Sequence, residues 1–119
     1  MGVPVGLILS GSTSGRPIPV AAVATPGTTI HTAVAGTTSF DCVYAFASNV
    51  TANPATLTVE WGGVSDPGDH LVKGYVIAAN SGPIPIALGQ RMQGAVAVKA
   101  FSGTASAINI TGWVDRVNQ

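Results

Sequence analysis

The chain has 119 residues, enough for a single domain with one hydrophobic core. Hydrophobic residues make up 46% of it and charged residues only 8%, with five basic and five acidic side chains that cancel; soluble domains carry roughly 25% charge. Near-zero net charge and scattered Lys and Arg exclude a nucleic-acid face, and no run approaches the ~20 apolar residues that cross a bilayer.

From Met1 to Phe40 the only formal charge is Arg16, yet Val, Ile, Leu, Ala, Pro and Gly are plentiful. Disorder in water needs low hydrophobicity and many charges, and Pro4, Pro17, Pro19 and Pro26 each oppose a helix. Residues 1–27 therefore read as an extended N-terminal arm. Val3 to Leu9 and Pro17 to Val23 are its candidate strands, joined by the flexible stretch from Gly11 to Gly15. Pro17 and Pro19 suit an edge position, where a missing amide donor is tolerated. Ordering ~25 residues costs tens of kcal/mol at ~1–2 kcal/mol each, and a small sandwich has little surface to spare. The expectation is that the arm lies on a neighbouring molecule, with Pro17, Ile18, Pro19 and Val20 as contacts, and that residues 28–119 form a body able to fold without it.

Within the body, Thr28 to Thr32 alternates as a strand. Phe40 to Ser48 is apolar on both faces, with Cys42, Tyr44 and Phe46 on one side and Val43, Ala45 and Ala47 on the other. Such a strand is central, or its outer face meets another subunit. Thr56 to Trp61 places Leu57, Val59 and Trp61 toward a core and Thr56, Thr58 and Glu60 toward solvent or a partner. Further strands are predicted at His70 to Ala78, Ile84 to Leu88, Ala95 to Phe101 and Ala107 to Val114. In the last, Trp113 points away from the core, either as an interface anchor or beneath the arm. Turn chemistry at Ala52-Asn53-Pro54, Asp66-Pro67-Gly68-Asp69, Asn80-Ser81-Gly82-Pro83 and Ser102-Gly103-Thr104 separates these runs. The prediction is an all-β single β-sandwich, jelly-roll-like or immunoglobulin-like, with the arm attached.

Chemistry-bearing residues are few. His31 is a candidate base with an equally good structural role. Asp41 and Cys42 are adjacent, so they point to opposite faces of a strand, and Cys42 reads as a small buried hydrophobe. Being the only cysteine, it forms no internal disulfide. Asp66, Asp69 and His70 are the densest polar cluster. Two carboxylates there fall short of the six to eight oxygens that Ca²⁺ takes, so a solvated turn is expected. The sequons at Asn49 and Asn109 read as coincidence, since no secretory signal is visible. Neither catalytic residues, metal ligands nor cofactors are expected, and the chain does not read as an enzyme.

The strings Gly15-Arg16-Pro17-Ile18, Ala24-Thr25-Pro26-Gly27-Thr28-Thr29-Ile30-His31-Thr32-Ala33, Thr38-Ser39-Phe40-Asp41, Leu57-Thr58-Val59-Glu60-Trp61-Gly62-Gly63, Ala79-Asn80-Ser81-Gly82-Pro83-Ile84-Pro85 and Ile108-Asn109-Ile110-Thr111-Gly112 carry a resemblance. Together they resemble a family of small virion structural proteins of tailed bacteriophages, over most of the chain from about Gly15 onward. The resemblance implies a capsid decoration or cement protein: a small β-rich domain, made in the host cytoplasm and seated on the virion's capsid surface, as a homotrimer in many such proteins, with arms that clamp capsid subunits. It implies the major capsid protein or other virion proteins as partners, and carries over no catalytic or metal-ligand residue. Two other readings stay open: a neck, collar or fibre-base component, and a glycan-binding head-fibre module that stacks sugars on Trp61 or Trp113.

Overall fold

The computed structural model describes residues 5–118. Nine strands run in chain order: β1 (Val5–Ile8), β2 (Ile18–Pro19), β3 (Thr28–Thr32), β4 (Ser39–Asn49), β5 (Ala55–Trp61), β6 (His70–Ile77), β7 (Ser81–Met92), β8 (Ala97–Ser102) and β9 (Ile108–Asn118). They form two antiparallel sheets, β1-β9-β4-β7 and β3-β8-β5-β6, and β2 joins the first sheet by pairing with β9. Both β1 and β2 lie along the free edge of β9. β1 sits beside residues 113–116 and β2 beside residues 109–110, so together they make one interrupted strand. Counted that way, the first strand pairs with the last, β3 with β8, β4 with β7, and β5 with β6. That nesting of antiparallel pairs is the jelly roll, and it decides against the immunoglobulin-like order.

The core lies between the sheets, filled by alternate residues of each strand. Val43, Ala45 and Ala47 of β4 and Ile108, Ile110 and Val114 of β9 face Leu57 and Val59 of β5 and Val98 and Ala100 of β8, all buried. Trp61 is only half-buried at the margin of this core. Cys42, predicted inside, lies on the outer face of β4, because Asp41 and Val43 take the inward positions. β7 begins at Ser81, earlier than the predicted turn at residues 80–83 allows, and its register against β4 shifts in three places. As an edge strand it tolerates the amide-free Pro83 and Pro85, and the shifts twist the edge away from further pairing.

Residues 5–27 are part of this sandwich, which corrects two expectations. The predicted arm strand from Val3 to Leu9 appears as β1, with Val3 and Pro4 outside the described residues, and Pro17 to Val23 shrinks to the two residues of β2. Leu9, Ile18 and Val20, at 1%, 5% and 0% exposure, belong to the same core as the body. The boundary at residue 27 is therefore not a boundary in packing, and the side chains of Ile18 and Val20 face inward, away from the surface a neighbour would touch. The reason is space: β9's outer edge and the adjacent end of the core are left open by the other strands, and β1 and β2 fill them. Backbone bonds from Gly11 N to Ile30 O and from Val20 N to Ile108 O attach the segment to both sheets. Pro17 and Pro19 alone of the four predicted arm contacts are exposed.

The same segment explains Glu60, predicted to face solvent or a partner. It is fully buried on the outer side of β5, where Thr25 Oγ1 and Gly27 N donate to its two carboxylate oxygens. Residues 25–27 roof it. Removing a core side chain from the segment is expected to cost as much as removing one from a central strand. Leu9→Ala should lower unfolding stability by about 3 kcal/mol in urea titration. A segment that merely reached for another molecule would leave the isolated chain unmoved.

Candidate functional site

Two groupings gather the chemically distinctive side chains. The first is internal. The Asp41 carboxylate, fully buried on the inward side of β4, accepts from Arg116 Nε at 2.7 Å and Nη2 at 3.0 Å, from His31 Nε2 at 2.8 Å and from Val34 N at 3.1 Å. His31 Nδ1 in turn accepts from Ser10 N at 3.0 Å. Because a backbone N–H can only donate, Nδ1 carries no proton and His31 holds its hydrogen on Nε2, aimed at Asp41. Both ring nitrogens are committed, at 2% exposure. His31, the candidate base of the sequence, is a structural tie between the N-terminal segment, β3, β4 and β9.

Burial pushes the Asp41 carboxyl up. The hydrogen bonds from Arg116 and His31, the Arg116 charge and the Val34 amide outweigh that, and hold the group below the usual carboxylate value. The same pair keeps Arg116 protonated more firmly than usual. A carboxyl whose folded pKa lies below its unfolded one adds stability that is complete above about pH 4 and is lost as pH falls through the folded value.

The Asp66, Asp69 and His70 cluster is a stitched turn. Asp66 bonds Lys73 Nζ at 2.7 Å, which draws its carboxyl below the usual value, and Asp69 Oδ2 accepts from Ser65 N at 3.0 Å. Among the described residues no group of three His, Cys, Asp or Glu is placed to hold a metal ion. Asn49, the first sequon asparagine, is buried at the end of β4, where its side chain bonds Asn53 O, Ile77 O and Thr51.

The second grouping is on the surface. Cross-strand register places Ile8 beside Trp113, Trp113 beside Tyr44 and Tyr44 beside Leu88, so one row crosses all four strands β1, β9, β4 and β7 on the outer face of their sheet. Ile8, Trp113 and Leu88 are 53%, 45% and 64% exposed. The Trp113 ring stacks on Tyr44 with centroids 4.8 Å apart and planes at 10°, and on Phe46 at 5.9 Å and 26°. The next row along the strands is Gly6, Asp115, Cys42 and Arg91. The Arg91 guanidinium lies 4.8 Å over the Phe40 ring on the same face. Three aromatic rings interlocked on an open sheet surface form a pre-ordered apolar platform, and such rings serve as interface anchors.

Trp113 thus takes the outward position read from the sequence, and the described part of the N-terminal segment does not cover it: β1 lies beside β9, not over it. Pro17, Ile18 and Pro19 line a separate shallow groove with Gly11, Thr13, Arg16 and Asn109, at the β2 end of the sheet. The remaining members of the aromatic row escaped sequence reasoning, which set Tyr44 and Phe46 on one face of β4 without deciding which face was the core. No protein-family model, curated protein or solved structure matches this chain.

Asp41→Asn, which keeps the shape and removes the charge, is expected to lower stability near neutrality by about 3 kcal/mol, at the modest end for a buried pair because Arg116 reaches water. The loss should shrink as pH falls below about 4, where the carboxyl of the unfolded wild-type chain takes up its proton before the folded one does. Urea titrations of both proteins at several pH values measure it.

Proposed function

We propose that this chain is a structural protein of a bacteriophage virion, a capsid decoration or cement protein that covers junctions between capsid subunits. The supporting observation is the character of the surface. Eleven large apolar side chains are exposed among the described residues, while Asp41 and Glu60, two of the ten charged side chains, are buried. Burial at interfaces makes such a surface tolerable without the hydration that charges supply. The sequence resemblance to small virion proteins points the same way, and jelly rolls recur in capsid domains, which supports the reading as a fold-level analogy.

The mechanism in this reading is mechanical. A sandwich with its N-terminal segment built in is a rigid plate, and it resists separation of the subunits it bridges by keeping apolar contacts out of water. Partner contacts fall on exposed groups: Pro17 and Pro19 beside the β2 groove, and Trp113 on the aromatic platform. Ile18 and Val20 act by fixing the segment from inside.

Quantitative mass spectrometry of purified particles tests it. Copies at the scale of the capsid lattice are expected. A number fitting a single ring would move the protein to the neck or collar, and its absence from particles would end the virion reading.

A further inference from the structure

The outer face of the β1-β9-β4-β7 sheet carries an asymmetry that identifies what fits it. Most charged groups of the chain are answered internally. Asp41 holds Arg116, Asp66 holds Lys73, and Glu60 and Asp69 accept backbone or hydroxyl donors. Asp115, Arg91, Arg16 and Lys99 form no ion pair among the described residues, and of these Asp115 and Arg91, the latter over the Phe40 ring, share this face. Both lie in one row on this apolar face, on either side of Cys42, with Asp115 on β9 and Arg91 on β7. Two strand spacings, about 10 Å, separate their backbones.

We propose that this face binds a second copy of the chain, sheet against sheet, about a twofold axis that runs along β4 in the plane of the interface. Such an axis reverses the strand order of the second copy while leaving each row in line. Asp115 then meets Arg91 of the second copy, and the symmetry makes that pair twice. In the neighbouring row Trp113 meets Leu88 of the second copy, and Tyr44 meets its own equivalent across the axis. A surface that carries its own complement on both sides of one line is what an isologous contact requires. An axis perpendicular to the strands would set Asp115 against β9 of the second copy and leave both charges without partners.

In this geometry β9, β4 and β7 of the two copies overlap and β1 overhangs. Three strands ~4.8 Å apart, rising ~3.3 Å per residue over the 11 residues of β4, give a footprint of about 520 Å², at the small end for a specific interface. Aligned sheets pack about 10 Å apart at roughly −30°, a spacing that aromatic side chains fill. The inference concerns the free chain in solution: a second copy there takes the platform on which the virion reading sets Trp113 as a contact, so the two occupants exclude each other at that face, while sedimentation of the free chain and its copy number in particles are measured independently.

Sedimentation of the purified full chain is the first measurement, with a dimer expected. Charge reversal is the discriminating one. Asp115→Arg and Arg91→Asp are each expected to weaken the dimer at least about tenfold by setting like charges together, and the double variant should restore it. Trp113→Ser should weaken it about thirtyfold or more while the chain stays folded by its far-UV spectrum. Cys42, the only cysteine, lies on the axis, so a short bis-maleimide should join two chains in the wild type and not in Trp113→Ser. A monomer or a trimer in sedimentation, or a dimer indifferent to Trp113→Ser, or a double charge swap that fails to rescue, overturns the proposal.

Discussion

One buried carboxylate organises the closed end of this sandwich. Asp41 sits in the core face of β4 with no exposed surface, a position that would cost several kcal/mol unpaired. Four donors from three directions answer it: Arg116 twice, from the adjacent strand of its own sheet, His31 from the opposite sheet, and Val34 from the loop between them. Through His31 the tie extends to Ser10, in the loop between β1 and β2. Apolar packing alone would let two sheets slide. This set of directional bonds fixes their relative position, and with it the seat of the N-terminal segment.

That arrangement changes how the opening residues are understood. A stretch with one charge and several prolines must be covered by something, and the covering surface is the chain's own. The decisive groups are the side chains of Leu9, Ile18 and Val20, which enter the core, and the Thr25 hydroxyl and Gly27 amide, which donate to the Glu60 carboxylate. The surface that remains is correspondingly poor in charge. It presents aromatic rings on one sheet, and on the other a roof made from the segment itself.

The alternation of apolar and polar residues made β5 and β9 legible, with the inward positions of Leu57, Val59, Ile108, Ile110 and Val114 and the outward Trp113; β4 was legible as a strand, but being apolar on both sides it did not show which face was the core. Three things were not legible. Glu60 falls on the polar side of a clean alternation, and nothing near it in sequence announces the donors 33 and 35 residues away. Asp41 and Arg116 stand 75 residues apart, so no local pattern joins them. The destination of the N-terminal segment depends on which strand edge the other elements leave open, which is a property of the completed topology. Sheet order belongs to the same class, since periodicity assigns faces and says nothing about neighbours.

The bulge at Gly89 shows how far a backbone irregularity can reach. Val43 pairs with Gln90 but Tyr44 with Leu88, so Gly89 is an extra residue in β7, held at φ 91° with Gln90 Oε1 accepting from Leu88 N. In an uninterrupted strand, positions 88 and 91 would point to opposite faces. The inserted residue brings a leucine and an arginine out on the same side, and so writes a mixed apolar and cationic signature onto a surface that strict alternation would have divided. The chemistry of that exterior is therefore governed by a residue with no side chain. Natural variation could redraw it by moving a single insertion along the ladder, with every exposed amino acid left unchanged.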